Sequence, residues 1–369
     1  MHAANPLKGA VLSAWMLLFV PLCAADRDPL IIRHADRFEH FDREGIKYQR
    51  LIGHVEILYK ETKVFADTAV NYHNLERMEF NGRAKMDYGF QVLKADRITY
   101  FKKDSSAAAQ GRVAITDKEK NVTITGGRGD YSRQRDESRI FVKPVLTRID
   151  STGKDTLTIV SVRMRHLGKE KKAVAEDSVI ITQGKIRATC NRCEYFQNEE
   201  KVVLLDSPQV FHEKDALKGD TILLFFVDEA LDRMVALGNA KGRFLEENEA
   251  RPDSAQITVI TGDTLIAHVR EGAMDRIEVI RRAVGLNFLR CDTTRVNRLL
   301  GKYMEFFLSR NALDSTHVAG NAQSLYYYEE RGEKGRNETS GDTLNIYFAN
   351  RQVSRITASG AVKGVYFKK

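Results

Sequence analysis

Cysteine, histidine and acidic residues are the side chains best placed to do chemistry, and their spacing is the first thing the sequence offers. Cys190-Asn-Arg-Cys193 has CxxC spacing, and Cys291 is a third thiol downstream. A zinc site needs about four ligands, and no second CxxC or nearby histidine pair supplies them. A thioredoxin-like redox motif needs a strand–helix context, which the flanking residues do not offer. A structural role remains: a local disulfide within the Cys190/Cys193 pair, or a bridge from one of them to Cys291, as an oxidising compartment permits. The nine histidines are dispersed, and no Ser, His and Asp fall into a known catalytic motif. Asp220, Asp263 and Asp342 recur at regular intervals, each inside a Gly-Asp-Thr triplet. Carboxylates repeated in this way belong either to turns or to the exposed face of a polysaccharide-cleaving β-helix. No metal or cofactor is expected, and the chain reads as non-enzymatic.

The elements that position these residues are set by a repeat. Leu231-Asp-Arg-Met-Val-Ala-Leu-Gly-Asn-Ala-Lys-Gly242 aligns without gaps to Met274–Gly285 and to Val353–Gly364. Gly219-Asp220-Thr221, Gly262-Asp263-Thr264 and Gly341-Asp342-Thr343 each lie twelve residues upstream of one copy, and Gly301-Lys302 opens a degenerate fourth. The period is about 40 residues, the signature of a stacked architecture. Shorter copies start at Ala35-Asp36, Ala66-Asp67 and Ala95-Asp96, and Gly129-Asp130 is expected to open another. Within a unit the apolar residues alternate: Ile222, Leu224, Phe226; Met304, Phe306, Leu308; Leu344, Ile346, Phe348. A period of two puts one apolar row on one face of a strand. Gly-Asp ahead of each strand reads as a turn, because glycine accepts positive φ and aspartate can bond its own backbone. Arg77, Arg233, Arg276 and Arg355 fall at equivalent places and form an outward basic row.

The expected fold is therefore all-β: stacked antiparallel strands with a repeat of about 40 residues, an elongated, folded-over β-jelly-roll of single or double length. Residues 1–25 have the order of a secretory signal peptide, with Lys8, the apolar run Val11–Leu22 and small residues at Ala24-Ala25. The run is shorter than the roughly 20 residues needed to span a bilayer. Repeats then fill residues 26–215 and 216–369, two stretches expected to be continuous with each other. The formal charge of +8 falls to +7 without Lys8, a balance suited to acidic partners.

The recurring Ala/Gly-Asp-x-φ-x-φ followed by a Gly-x-Val/Ala strand resembles the OstA/LptA-type family of lipopolysaccharide-transport proteins. It reads Ala35-Asp36-Arg-Phe38, Gly53-His-Val55-Glu-Ile57, Val64-Phe-Ala-Asp67, Asn81-Gly82-Arg-Ala84 and Gly111-Arg-Val113-Ala-Ile115. The likeness runs over most of residues 30–367. It implies a periplasmic β-jelly-roll trough that shelters acyl chains of lipopolysaccharide or a related lipid, with phosphates at a basic rim. It also implies edge strands that dock with other envelope transport components, possible head-to-tail self-association, and no role in nucleic-acid binding. The lipid-lining rows would be Val55, Ile57, Ile98 and Tyr100, then Ile222, Leu224, Phe226, Met304, Phe306, Leu308, Leu344, Ile346 and Phe348. The Cys190/Cys193 pair has no counterpart in that pattern. Two other readings compete: a structural or adhesive β-solenoid without ligand, and a β-helix carbohydrate-active enzyme.

Overall fold

The computed structural model describes residues 29–43, 45–150, 153, 155–247, 255–309, 312–330, 333–349 and 352–368. The expected signal peptide lies outside the described residues. Alternation of buried and exposed side chains runs through nearly every element. In the strand Arg77–Asp87, for example, Met78, Phe80, Ala84 and Met86 are buried while the residues between them face outward. Such a pattern buries one face of an antiparallel sheet and solvates the other. The sheet has 26 strands, β1 (Leu30–His34) to β26 (Lys363–Lys368), and no helix occurs among the described residues.

Six pairs of short strands lie in line against one long neighbour each, so the 26 strands amount to twenty bent rungs. The first pair, β1 and β2 (Arg37–Arg43), lies against β3 (Ile46–Tyr59). Next, β9 (Glu137–Phe141) and β10 (Val145–Ile149) lie against β8 (Val122–Ser132). β11 (Thr156–Val160) and β12 (Arg163–Leu167) pair with β13 (Lys172–Gln183). β15 (Lys201–Leu205) and β16 (Gln209–His212) share β14 (Ile186–Phe196). β17 (Asp215–Lys218) and β18 (Thr221–Val227) share β19 (Ala230–Glu246). Finally, β25 (Gln352–Ser359) and β26 share β24 (Glu333–Ala349). Every rung between the first and the last pairs antiparallel with the rung before and after it. The pairing passes without a break through residues 215–216, which lie inside β17.

Each rung bends near its middle, and the bend folds the sheet into two facing walls that meet at a corner. The bend is a β-bulge. In β4 (Thr62–Tyr72) the single residue Asp67 stands opposite Gly82-Arg83 of β5 (Arg77–Asp87), and both of these have positive φ, +75° and +45°. The same two-against-one pairing sets Asp36 against Gly53-His54, Asp96 against Gly111-Arg112, Asp220 against Gly238-Asn239 and Lys302 against Gly320-Asn321. An extra residue on alternate rungs kinks the strand and raises its twist. The Asp36, Asp220 and Asp342 N–H groups donate to the carbonyls of Gly53, Gly238 and Gly360 at 2.9–3.1 Å.

This geometry corrects the reading of Gly-Asp-Thr as a reversing turn. Gly262-Asp263-Thr264 and Gly341-Asp342-Thr343 lie inside the strands 256–270 and 333–349, and their glycines do not adopt positive φ. The positive φ belongs to the glycine of the facing rung. Chain reversal happens elsewhere, as at Lys60-Glu61 and Glu271-Gly272. The 40-residue repeat is thus one pair of rungs. Gly129-Asp130 opens no copy either: β8 bends at Gly126-Gly127, and Asp130 pairs with Arg139 further along one wall.

Candidate functional site

Between the two walls runs an interior whose filling changes along the stack. In the N-terminal rungs the inward rows meet and exclude solvent. Phe80 and Ile98 have no exposed surface, Val55 and Ile57 are 2% exposed, and the gap beside Ile57 measures about 10 Å³. The open rim there is crossed by ring contacts. Tyr59 meets Tyr100 edge-on at 5.9 Å, and Tyr88 meets Tyr131 at 5.2 Å. Burial pushes the Tyr131 phenol up to about 12. Midway, Arg148 Nη1 donates to the Tyr195 hydroxyl at 3.1 Å, and Gln183 Nε2 donates to the Glu229 carbonyl at 2.9 Å, again joining opposite walls.

Beyond β19 the walls part. A cavity of about 680 Å³ opens between β20 (Gln256–Arg270), β21 (Ala273–Leu289), β22 (Asp292–Ser309), β23 (Ala312–Glu330), β24 and β25. A smaller space of about 110 Å³ adjoins it and shares Glu246, Thr258, Phe306 and Leu313. One wall of the large cavity is apolar, presenting Phe306, Leu313, Ile346, Phe348, Val353 and Ile356. The other is mixed, presenting Gln256, Thr258, Asn287, Asn297 and Ser324 beside Leu289 and Leu299. Tyr326 closes the far end, its phenol hydrogen-bonded to the backbone of Val353 on the opposite wall, and burial raises its pKa.

The thirteen side chains expected to line a lipid divide between these two regions. Phe306, Ile346 and Phe348 line the large cavity, and Phe306 and Leu308 line the adjoining one. Val55, Ile57, Ile98, Tyr100, Ile222, Leu224, Phe226, Met304 and Leu344 lie in the buried core. Each such side chain, fully buried, is worth about 1.5–3 kcal/mol to the fold, which makes packing their first task. Residues that the alternating apolar pattern passes over, Asn287, Asn297, Thr316 and Ser324, line the cavity as well. For Asn287 and Asn297 the signal in the sequence is the loss of the apolar row between residues 286 and 298.

The mouth is not basic. Glu246, Asp292 and Glu329 stand there with Arg295 and Arg298, and Arg295 Nη1 is paired with Glu329 at 3.1 Å. The surplus of positive charge therefore does not gather at this rim as expected. Nor do the repeated arginines form a bare basic row. Arg77, Arg233 and Arg355 each cap an aromatic ring directly across the strand, Tyr72, Phe225 and Tyr347, at 4.2–4.8 Å, and Arg276 pairs with Glu278 and Glu305. Such contacts pin the hairpin ends.

Among the described residues the three cysteines, Cys190, Cys193 and Cys291, are unpaired. Cys190 and Cys193 lie on either side of a bend in β14 and are buried, whereas Cys291 is exposed in the β21–β22 turn. Burial pushes the Cys190 thiol up to about 11 and raises that of Cys193 well above its usual value. A thiol so raised is the reverse of the activated thiolate that redox and nucleophilic sites require. The recurring carboxylates sit at the outer corners, on alternate rungs about 10 Å apart. Asp220 accepts from Asn239 Nδ2 at 3.1 Å, and Asp263 pairs with Arg281 and Arg282. Among the described residues no group of three or more His, Cys, Asp or Glu side chains is arranged to hold a metal ion.

No family model matches the sequence, and no curated protein matches it. Among solved structures, LptH from Pseudomonas aeruginosa, described as the LptA-homologous periplasmic component of the conserved lipopolysaccharide transport device, matches with a TM-score of 0.28 and 16% sequence identity. The match covers 37% of this chain and 82% of LptH.

Proposed function

We propose that this chain is a non-enzymatic carrier of acyl lipid, lodged in the cleft between the C-terminal walls. The observation that carries the reading is the cleft itself: about 680 Å³ of open interior beside an apolar wall, where the N-terminal core beside Ile57 leaves a gap of about 10 Å³. The volume lies in the range of small-molecule sites, roughly 300–1,000 Å³. Transfer of an alkyl chain from water is worth about 0.8 kcal/mol per CH₂, so ten methylenes against Phe306, Ile346 and Phe348 give roughly 8 kcal/mol before ordering costs. No covalent step is needed. The repeat's likeness to OstA/LptA-type proteins makes lipopolysaccharide the cargo of choice and the periplasm the compartment, with the leader removed near Ala25. The unpaired edges at β1/β2 and β25/β26 then serve as docking strands for other envelope components or a second copy.

The test is to isolate the mature protein gently from envelope extract and identify bound lipid by mass spectrometry. A Leu313→Asp/Phe348→Asp variant serves as control, since both side chains are only partly buried at the cleft. Lipid on the wild type and its loss from the still-folded variant are expected. A folded wild type that stays empty after added lipopolysaccharide would favour the ligand-free solenoid, the reading that the packed N-terminal interior supports by itself.

A further inference from the structure

One of the two walls carries amide and hydroxyl side chains into the cleft. From β3 to β17 one of its inward rows is aliphatic or sulfur-bearing, with Ile57, Met86, Ile115, Ile124, Ile159 and Leu217 all buried. Strand register carries that row on through Ile260, Gly285, Leu299 and Ser324, and the next row towards the rim carries Thr258, Asn287 and Asn297; Thr258, Asn287, Asn297 and Ser324 all line the cleft. The side chains touch one another in series. Asn287 Nδ2 donates to Thr258 Oγ1 at 3.0 Å, and Asn297 Nδ2 donates to Asn287 Oδ1 at 3.4 Å. Asn297 Oδ1 accepts from the Tyr327 N–H at 2.9 Å. Two hydroxyls in the cleft are left over. Ser324 is 6% exposed and Thr316, on the opposite wall, 1%, and no protein group bonds either Oγ. A buried hydroxyl without a partner is costly, and such groups need an explanation, a ligand or ordered water being the usual ones.

We propose that the cleft holds the sugar-bearing part of a glycolipid, with its alkyl portion on Phe306, Ile346 and Phe348 and its ring hydroxyls on Asn287, Asn297 and Ser324. This rests on the lipid-carrier reading and narrows it. Vicinal hydroxyls donate and accept at once, and so do carboxamides and serine, which makes an uncharged amide-and-hydroxyl wall a match for a sugar edge. A phosphate would call for cations, and the mouth holds three acids to two bases. Tyr326, Tyr327 and Tyr328 flank the same wall and supply flat, partly apolar surface.

Isothermal titration of the full mature chain, below the critical micelle concentrations, tests this with three neutral probes: octyl β-glucoside, tetraethylene glycol monooctyl ether and methyl β-glucoside. The octyl glucoside is expected to bind roughly tenfold more tightly than the equally long ether, the effect of one or two additional hydrogen bonds, and methyl glucoside far more weakly than either. Asn287→Ala/Asn297→Ala should bring the glucoside down to the ether's affinity and leave the ether unchanged. Ser324→Ala removes only an unpartnered hydroxyl, so the fold survives, and should cost the glucoside about threefold. Equal binding of glucoside and ether to the wild type overturns the sugar assignment and leaves the lipid carrier standing. Binding of methyl glucoside as tight as octyl glucoside overturns the glycolipid in favour of a free saccharide. Failure of both octyl probes to bind overturns the carrier reading along with it.

Discussion

The corner geometry makes a prediction that separates a strained glycine from a crowded one. Gly45 and Gly82 have nearly the same φ, +76° and +75°. A methyl group added at Gly45 meets nothing within 4 Å, whereas at Gly82 it would lie 2.3 Å from Asp67 Oδ2 and 2.8 Å from Asp67 Cβ. Gly45→Ala should therefore cost only the left-handed backbone penalty, about 1–2 kcal/mol. Gly82→Ala carries that penalty and must also push Asp67 aside. The carboxylate can swing away from Arg83, but the Cβ is fixed to the backbone, so the bulge itself has to shift, at a further cost of about 1–3 kcal/mol. Amide hydrogen exchange along β4 and β5 reads the local opening free energy directly. Exchange there should quicken by at least about 30-fold in Gly82→Ala, and in Gly45→Ala the amides of the first hairpin should quicken by about 5- to 30-fold. If the two substitutions cost the same, the Asp-over-Gly corner is not what fixes the bend.

Two further outcomes follow from buried titratable groups. His166 in β12 is 4% exposed, and burial lowers its pKa. The unfolded chain then takes up a proton that the folded one refuses, so stability is full above about pH 6.5 and falls as the pH drops through that value. Urea midpoints at pH 7.5 and 5.5 should differ for the wild type and much less for His166→Leu. The carboxylates held low by their partners, such as Glu137 beside Arg139, lose their contribution only at more acidic pH, as the pH falls through their folded values, which keeps the histidine step separate. Of the three thiols, Cys291 should react fast with iodoacetamide at pH 8, whereas Cys190 and Cys193 should react only on unfolding. Equal labelling of all three, or a Cys190–Cys193 disulfide in peptide mass spectra, would contradict the packing of β14.

The stack was legible in the sequence because period-two alternation and a 40-residue repeat are both direct readouts of sheet geometry. Ile222, Leu224 and Phe226 alternate inward in β18, as do Met304 and Phe306 in β22. The bend was not legible, because a β-bulge and a reversing turn draw on the same residues. A positive-φ pair made of one glycine and one polar residue describes Gly238-Asn239 in mid-strand as well as Glu271-Gly272 at a hairpin. Only the pairing of Leu237 with Thr264 and Ala240 with Gly262 tells them apart. Packing and lining look alike for a similar reason. Met304 and Phe348 both belong to alternating inward rows, yet Met304, level with Leu344 near the corner, has no exposed surface while Phe348, four residues further along the wall, borders open space. The difference lies in height above the corner and in what the facing wall supplies there.

That facing wall, together with rung length, explains why the cleft opens where it does. In β5 the halves on either side of the bend are 77–81 and 84–87, while in β22 they are 292–300 and 303–309. Each added residue lifts a wall by about 3.3 Å, so the C-terminal rims stand roughly 7–16 Å higher above the corner. Height alone would only deepen a packed core if large side chains filled it. Instead, on the polar wall, Gly285 and Ser324 flank the single large side chain of Leu299, Gly341 lies nearer the corner, and Asn287 and Asn297 stand above them. Tall walls with small residues near the corner do not close on each other along the cleft, and the tyrosine that does reach across, Tyr326 to Val353, does so at its far end. Lengthened rungs and a polar inward row occur together in the same stretch of chain. The cleft is therefore built into the repeat and does not depend on a loop or on motion.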